Sequence, residues 1–150
     1  MCQRASIWGG KRRRRGLVGV DKTEGDGVVA HDLEAGLPDD WVASDKADVI
    51  IADNILEHLV NIIPLLNDCH RHLSSLRGRL HVTVPNALAS PEAAFSDPTH
   101  VRCFTPQTFD YFNGDNPRWQ EYGQQYGILP WRVVYVRQRE RFIEAMLRPA

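Results

Sequence analysis

Apolar residues in this chain alternate between two kinds of spacing, and that alternation predicts a fold. Ala47-Asp48-Val49-Ile50-Ile51-Ala52 is a short, nearly unbroken apolar run, the form expected of a parallel strand covered on both faces. It stops at Asp53-Asn54, and Ile55-Leu56-Glu57-His58 leads on towards a helix. There Leu59, Ile62, Leu66, Cys69 and Leu73 recur at steps of three and four, which sets them on one face. Asn61 is the expected N-cap, and Pro64 falls in the first turn, where its missing N–H does little harm. Gly78 breaks the chain before Leu80-His81-Val82-Thr83-Val84-Pro85-Asn86, a β-branched strand ended by proline. Strand, crossover helix and strand predict a right-handed βαβ unit with parallel strands.

The flanks extend this unit. Ser6-Ile7-Trp8-Gly9-Gly10 reads as the end of a first short strand running into a glycine turn. Leu17 to Val20 is a second strand ending at Asp21, and Val28 to His31 a third ending at Asp32, with Gly25-Asp26-Gly27 turning the chain between them. Glu34 to Lys46 is a polar connection that Leu37 and Trp41 pin to the core. After Asn86, small residues lead to Asp97-Pro98-Thr99-His100. Thr105 and Pro106 then open a short helix with Phe109 and Phe112 on one face and Gly114 past its end. A polar loop carrying Trp119, Tyr122 and Tyr126 follows. Trp131 to Val136 alternates as a strand, and Phe142 to Leu147 pairs back with it as a closing antiparallel hairpin, a helix over Glu140 to Leu147 being the alternative. The chain has no internal repeat, low-complexity segment or linker.

Composition narrows the function classes. The 150 residues suit one domain over 1–150, and 43% hydrophobic with 25% charged residues is a globular balance. A net charge of −1 excludes a global pull on nucleic acid. Lys11 to Arg15 is a local run of cations, either a solvated loop or a phosphate- or nucleic-acid-binding patch without interleaved aromatics. Cys2, Cys69 and Cys103 form neither a disulfide framework nor a zinc pattern, and they fit a reducing compartment. The start has no signal-peptide core, and no run approaches the ~20 apolar residues of a membrane span. A cytoplasmic protein with no membrane partner is expected.

The candidate chemistry lies at the strand ends. Asp21, Asp32 and Asp53 each close an apolar strand, and Asn86 closes a fourth. Ligands of open parallel sheets bind beyond the carboxyl ends of the strands, where strand order reverses. Carboxylates along that edge suit a ligand offering hydroxyl and amine donors, such as a ribose and an adenine, although aspartate is also common in turns and caps. A nicotinamide-dependent dehydrogenase is set aside. There is no Gly-x-Gly-x-x-Gly after the first strand, and Tyr122 is followed four positions on by Tyr126, not by a lysine.

The order of these pieces resembles a class I S-adenosylmethionine-dependent methyltransferase of the small-molecule, type 11-like group. The resemblance is carried by Gly19-Val20-Asp21, His31-Asp32-Leu33-Glu34, Leu37-Pro38, Asp53-Asn54-Ile55-Leu56-Glu57-His58-Leu59, Arg77-Gly78-Arg79-Leu80, Val84-Pro85-Asn86, Asp97-Pro98-Thr99-His100 and Phe104-Thr105-Pro106. It spans about residues 6 to 114. It implies an α/β fold, a Rossmann-like doubly wound, mostly parallel sheet with a C-terminal antiparallel hairpin, here truncated at the first strand. It also implies S-adenosylmethionine as cofactor and a small-molecule or glycan-type methyl acceptor as partner. Asp21 would take the ribose hydroxyls, Asp32 and the backbone at Leu33 would bracket the adenine, and Asp53 and Asn54 would line the methionine end. Gly9 and Gly10 match the end of the glycine motif.

Trp8 stands where that motif has its first glycine, and an indole there obstructs the close backbone approach a cofactor needs. A non-catalytic domain that keeps the fold is therefore the alternative, and a nucleic-acid-binding module using Lys11 to Arg15 is another. For acceptors that must lose a proton, His100 is the candidate general base with Asp97 as its orienting group; a histidine merely holding its loop is the competing role. His58 is read as structural or cofactor-adjacent. His70 and His72 point to different faces of a helix, His31 and His81 lie inside strands, and no metal site is predicted. Trp119, Tyr122, Tyr126 and Trp131 either wall an acceptor pocket or simply pack.

Overall fold

The computed structural model describes residues 4–8, 18–22, 27–38, 41, 47–74 and 77–150. Among them, seven strands form one mixed sheet: β1 (Arg4–Trp8), β2 (Val18–Asp21), β3 (Val28–Ala30), β4 (Val49–Asp53), β5 (Arg79–Pro85), β6 (Trp131–Gln138) and β7 (Phe142–Pro149). Their order is β3-β2-β1-β4-β5-β7-β6. The first five run parallel, whereas β7 lies antiparallel to both β5 and β6. The chain thus steps outward from β1 to β3, returns to the other side of β1, and reverses its order between β1 and β4.

The central unit forms as its spacing predicts. Helix α1 (Ile63–His72) joins β4 to β5, which pair from Val49 with Arg79 to Asp53 with Thr83. Leu59, Ile62, Leu66, Cys69 and Leu73 are all buried, together with Leu65. Asn61 caps from one position further out than expected: its Oδ1 accepts the Ile63 N–H at 3.1 Å, while Ile62 is the boundary residue. The helix stops at Leu73, which turns extended and returns its N–H to the Cys69 carbonyl.

The two faces of the sheet differ. Ile50, Ala52, Leu80, Val82, Val84, Ile143, Ala145 and Leu147 are buried. The residues between them, among them Val49, Ile51, His81 and Thr83, are half-buried and line a shallow groove with Tyr135 and Glu144. The apolar run 47–52 is therefore deeply covered on one face only among the described residues.

The C-terminal ambiguity resolves as a hairpin. Ile143, Ala145 and Leu147 alternate inward on β7, which fills the place beside β5 from Pro85–Phe142 to Leu80–Leu147. The short helix expected after Thr105 is a 3-10 turn over Pro106–Tyr111. A capping box between Thr105 and Thr108 starts it, and Phe109 and Phe112 are buried beneath it. The segment that follows is not the plain loop expected: it holds one turn of π-helix over Trp119–Gly123, and it is tied to α1, because Asn67 donates to the Gly127 carbonyl at 2.8 Å and accepts the Leu129 N–H at 2.9 Å. No helix among the described residues is long and apolar enough to cross a membrane.

Candidate functional site at the strand ends

The register brings the strand tips level. Trp8 pairs with Asp53 and Asp53 with Thr83. Ile7 pairs with Val20, so Asp21 follows one position on. Asp21 and Asp53 therefore end β2 and β4 on either side of β1, both half-buried. Asn54 turns the chain out of β4 with φ of 50°, a left-handed conformation that asparagine tolerates. Its amide donates to Asp53 Oδ1 at 3.1 Å, and its N–H donates to the Thr83 carbonyl at 2.9 Å.

Asp32 and Asn86 bond groups of the loops that follow their strands. Asp32 lies beyond the end of β3, where its Oδ1 caps the Leu33–Ala35 turn through the Glu34 N–H at 3.2 Å and faces Lys22 at 3.6 Å. Leu33 sends its side chain into the core. Asn86 is fully buried and structural: it donates to the Arg139 carbonyl at 3.3 Å and accepts the Leu88 and Ala89 N–H groups at 3.1 and 3.2 Å. His31 follows β3 instead of lying within it, and its N–H bonds the Asp21 carbonyl at 2.8 Å. Gly9, Gly10 and Lys11 to Arg15 lie outside the described residues.

The densest group of titratable side chains lies just past β4. A 3-10 turn over Leu56–His58 anchors Leu56 in the core and takes Glu57 in with it, at 1% exposure. Both carboxylate oxygens of Glu57 lack a hydrogen-bond partner among the described residues. Burial pushes this carboxyl up to about 7; Asp53 and Asp97 add to the rise, and its own backbone amide and His100 only partly oppose it.

The loop after β5 supplies the rest of the group. Helix α2 (Pro91–Phe95) presents the Ala94 carbonyl 3.0 Å from His100 Nδ1. A carbonyl can only accept, so Nδ1 carries the proton and Nε2 keeps its lone pair. Asp97 accepts the Thr99 N–H at 2.8 Å and the Thr99 hydroxyl at 2.6 Å, bonds that hold its carboxyl below the usual range. Thr99 Oγ1, its proton already given to Asp97, lies 3.0 Å from His58 Nδ1, and the Thr99 carbonyl lies 3.3 Å away. His58 Nδ1 is likewise the donor, which in the neutral ring leaves Nε2 as the lone-pair nitrogen.

The structure thus brings His100 and Asp97 together but revises their relation. His100 Nε2 and Asp97 Oδ2 are 3.9 Å apart, outside hydrogen-bond reach. The group that orients His100 is the Ala94 carbonyl. Glu57 and His58 complete a site in which the sequence reading gave them no chemical role. The signal available was the adjacent Glu-His pair directly after a strand end. Two further histidines are held by backbone carbonyls: His70 Nε2 bonds that of Pro130 at 3.0 Å and its ring meets Trp131 edge-on, while His72 Nδ1 bonds that of Asp68 at 2.9 Å. Trp131 is fully buried and Trp119 donates to the Ile128 carbonyl at 3.0 Å, so of the four aromatics only Tyr122 and Tyr126 are exposed.

No family model matches this chain, and no curated protein or solved structure matches it either.

Proposed function

We propose that the chain is a Rossmann-like, doubly wound methyltransferase domain that uses S-adenosylmethionine to methylate a small-molecule or glycan-type acceptor. The observation that supports this reading is the reversal of strand order between β1 and β4, with the Asp21 and Asp53 carboxylates ending the flanking strands. The row of acceptor carboxylates suits a nucleoside, whose hydroxyls and amine donate. On this reading Asp21 accepts both ribose hydroxyls, Asp32 and the Leu33 backbone bracket the adenine, and Asp53 and Asn54 line the methionine end; Gly9 and Gly10, assigned to the same site by the motif, lie outside the described residues.

The cofactor supplies an activated methyl group on a sulfonium leaving group. The chain's own residues have to bind and align, and orientation alone can supply up to ~7–11 kcal/mol of such a barrier. For a hydroxyl acceptor, His100 takes the proton at Nε2, because Nδ1–H is fixed on the Ala94 carbonyl.

Trp8 favours a second reading. It sits opposite Asp53 at the point of reversal, and a domain that keeps the fold without the chemistry would tolerate it. Calorimetric titration of the full chain with S-adenosylmethionine and with its demethylated product separates the two. Saturable one-to-one binding below millimolar supports the transferase. No saturable binding at millimolar cofactor leaves only the non-catalytic domain.

A further inference from the structure

The cluster past β4 has a feature that methyl transfer does not require. Glu57, His58 and His100 each offer one ligand atom, and these atoms lie within 4.8 Å of one another. Ligand atoms about 2.0–2.2 Å from a tetrahedral zinc ion lie roughly 3.3–3.6 Å from each other. The widest pair of the three therefore has to close by roughly an ångström, within reach of side-chain rotation.

The surroundings are those of a prepared ligand set. Glu57 is 1% exposed, and neither carboxylate oxygen has a hydrogen-bond partner among the described residues; a buried carboxylate calls for a cation or a donor. Both imidazoles spend Nδ1 on neighbours, His100 on the Ala94 carbonyl and His58 on Thr99, which leaves Nε2 of each as a lone-pair donor. Metal-bound histidines are held in this way, the second nitrogen being fixed by a carbonyl or a carboxylate-backed group. Asp97 supplies that backing through Thr99 Oγ1 at 2.6 Å.

We propose that Glu57, His58 and His100 bind one divalent first-row transition-metal ion. Two imidazoles with one carboxylate suit zinc, cobalt, iron or nickel, whereas magnesium and calcium prefer all-oxygen sets. Three protein ligands leave coordination positions open to water or to an oxygen of a bound molecule. Cation and proton exclude each other on His100 Nε2, so a filled site removes His100 from general-base duty.

The full chain, stripped of metal, is titrated with Zn²⁺ by calorimetry and with Co²⁺ by visible absorption, with Mg²⁺ as control. One Zn²⁺ per chain and Co²⁺ d–d bands are expected, with much weaker Mg²⁺ binding. His100→Gln and Glu57→Gln should weaken Zn²⁺ binding at least ~100-fold, and Thr99→Val, which unlinks His58 from Asp97, by ~10–100-fold. His70→Gln should leave affinity unchanged. If Glu57→Gln loses the fold by circular dichroism, His58→Gln on the half-buried rim carries the same test. Absence of Zn²⁺ binding, or equal affinity in wild type and His100→Gln, overturns the site. The probe is the metal alone, so failure to bind S-adenosylmethionine leaves this result intact.

Discussion

The rings of His58 and His100 meet edge to face, with centroids 4.8 Å apart and planes at 73°. This contact joins the turn after β4 to the loop after β5. The backbone repeats the connection: the Val101 and Arg102 N–H groups both donate to the Glu57 carbonyl, at 2.9 and 3.2 Å. The Arg102 guanidinium reaches the carbonyls of Leu59 and Val60. His100→Ala removes the ring and its bond to Ala94, which should cost about 1–3 kcal/mol in urea unfolding. Amide exchange at Val101 and Arg102 should quicken while Leu80 and Val82 stay protected. Unchanged exchange at the two loop amides would show that the ring does not hold the loop.

A second constraint lies where the Leu33–Ala35 turn meets α1. Gly36 has φ of 95°, and a Cβ there would stand 2.1 Å from Asp68 Oδ2. That oxygen accepts the Leu37 N–H at 3.1 Å, and Oδ1 holds Arg71 at 2.8 Å. Gly36→Ala should destabilise by about 2–3 kcal/mol, combining a left-handed backbone penalty with a displaced Asp68. Adding Asp68→Ala should cost less than the sum of the two single changes, because the clash disappears with the carboxylate. Strict additivity in thermal melts would separate the two residues.

Local periodicity carried the parts of the fold that local spacing can carry. Leu66 and Cys69, three apart on α1, are buried as that spacing predicts, whereas Leu59, Ile62 and Leu73 reach the core from positions just outside the helix. Residues 142–147 fitted strand or helix, and the choice fell to pairing with β5, a contact no local window contains. Asn86 looked like a fourth polar tip, yet its amide folds inward to satisfy backbone groups of three other residues. Glu57 and His58 were visible as a pair. Their meeting with His100 depends on β4 and β5 being parallel neighbours, so that the loops leaving both emerge at one edge.

His81 gives the stability a pH dependence. It is half-buried on β5, and burial, with the charge of Arg79, lowers its pKa below the ordinary 6.5. The folded state therefore binds fewer protons than the unfolded chain as pH falls through that value. Stability from this residue is fully present above about pH 6.5 and is lost on acidification towards the lowered folded pKa. Urea midpoints between about pH 5 and 7.5 should show a smaller acid loss in His81→Gln than in wild type. Parallel profiles would place the acid sensitivity elsewhere.

The two thiols among the described residues should divide cleanly. Cys69 is fully buried on α1, and burial, with the Asp68 charge, pushes its thiol up, while Cys103 is exposed. The thiolate is the reactive form. Maleimide at mildly alkaline pH should modify Cys103 in the native protein and Cys69 only in denaturant, read by peptide mass mapping. Native labelling of Cys69 would mean that the helix face under it opens.

Asp21 and Asp32 offer the sharpest test of where a nucleoside sits. Both belong to the proposed cofactor site, but they differ in exposure and in nearness to the point of reversal. Asp32 is exposed, caps Glu34 and faces Lys22, so much of its hydrogen-bonding capacity serves the turn. Asp21 is half-buried at the tip of β2, level with the point of reversal. Asp21→Ala should therefore weaken S-adenosylmethionine binding by roughly 1–3 kcal/mol through lost charge-assisted hydrogen bonds. Asp32→Asn keeps an acceptor oxygen for the cap, and it should cost no more than about 1 kcal/mol. Calorimetry on the two variants reads the difference directly. If Asp21→Ala binds as wild type does, the ribose does not lie between β1 and β2, and the strand tips hold some other ligand.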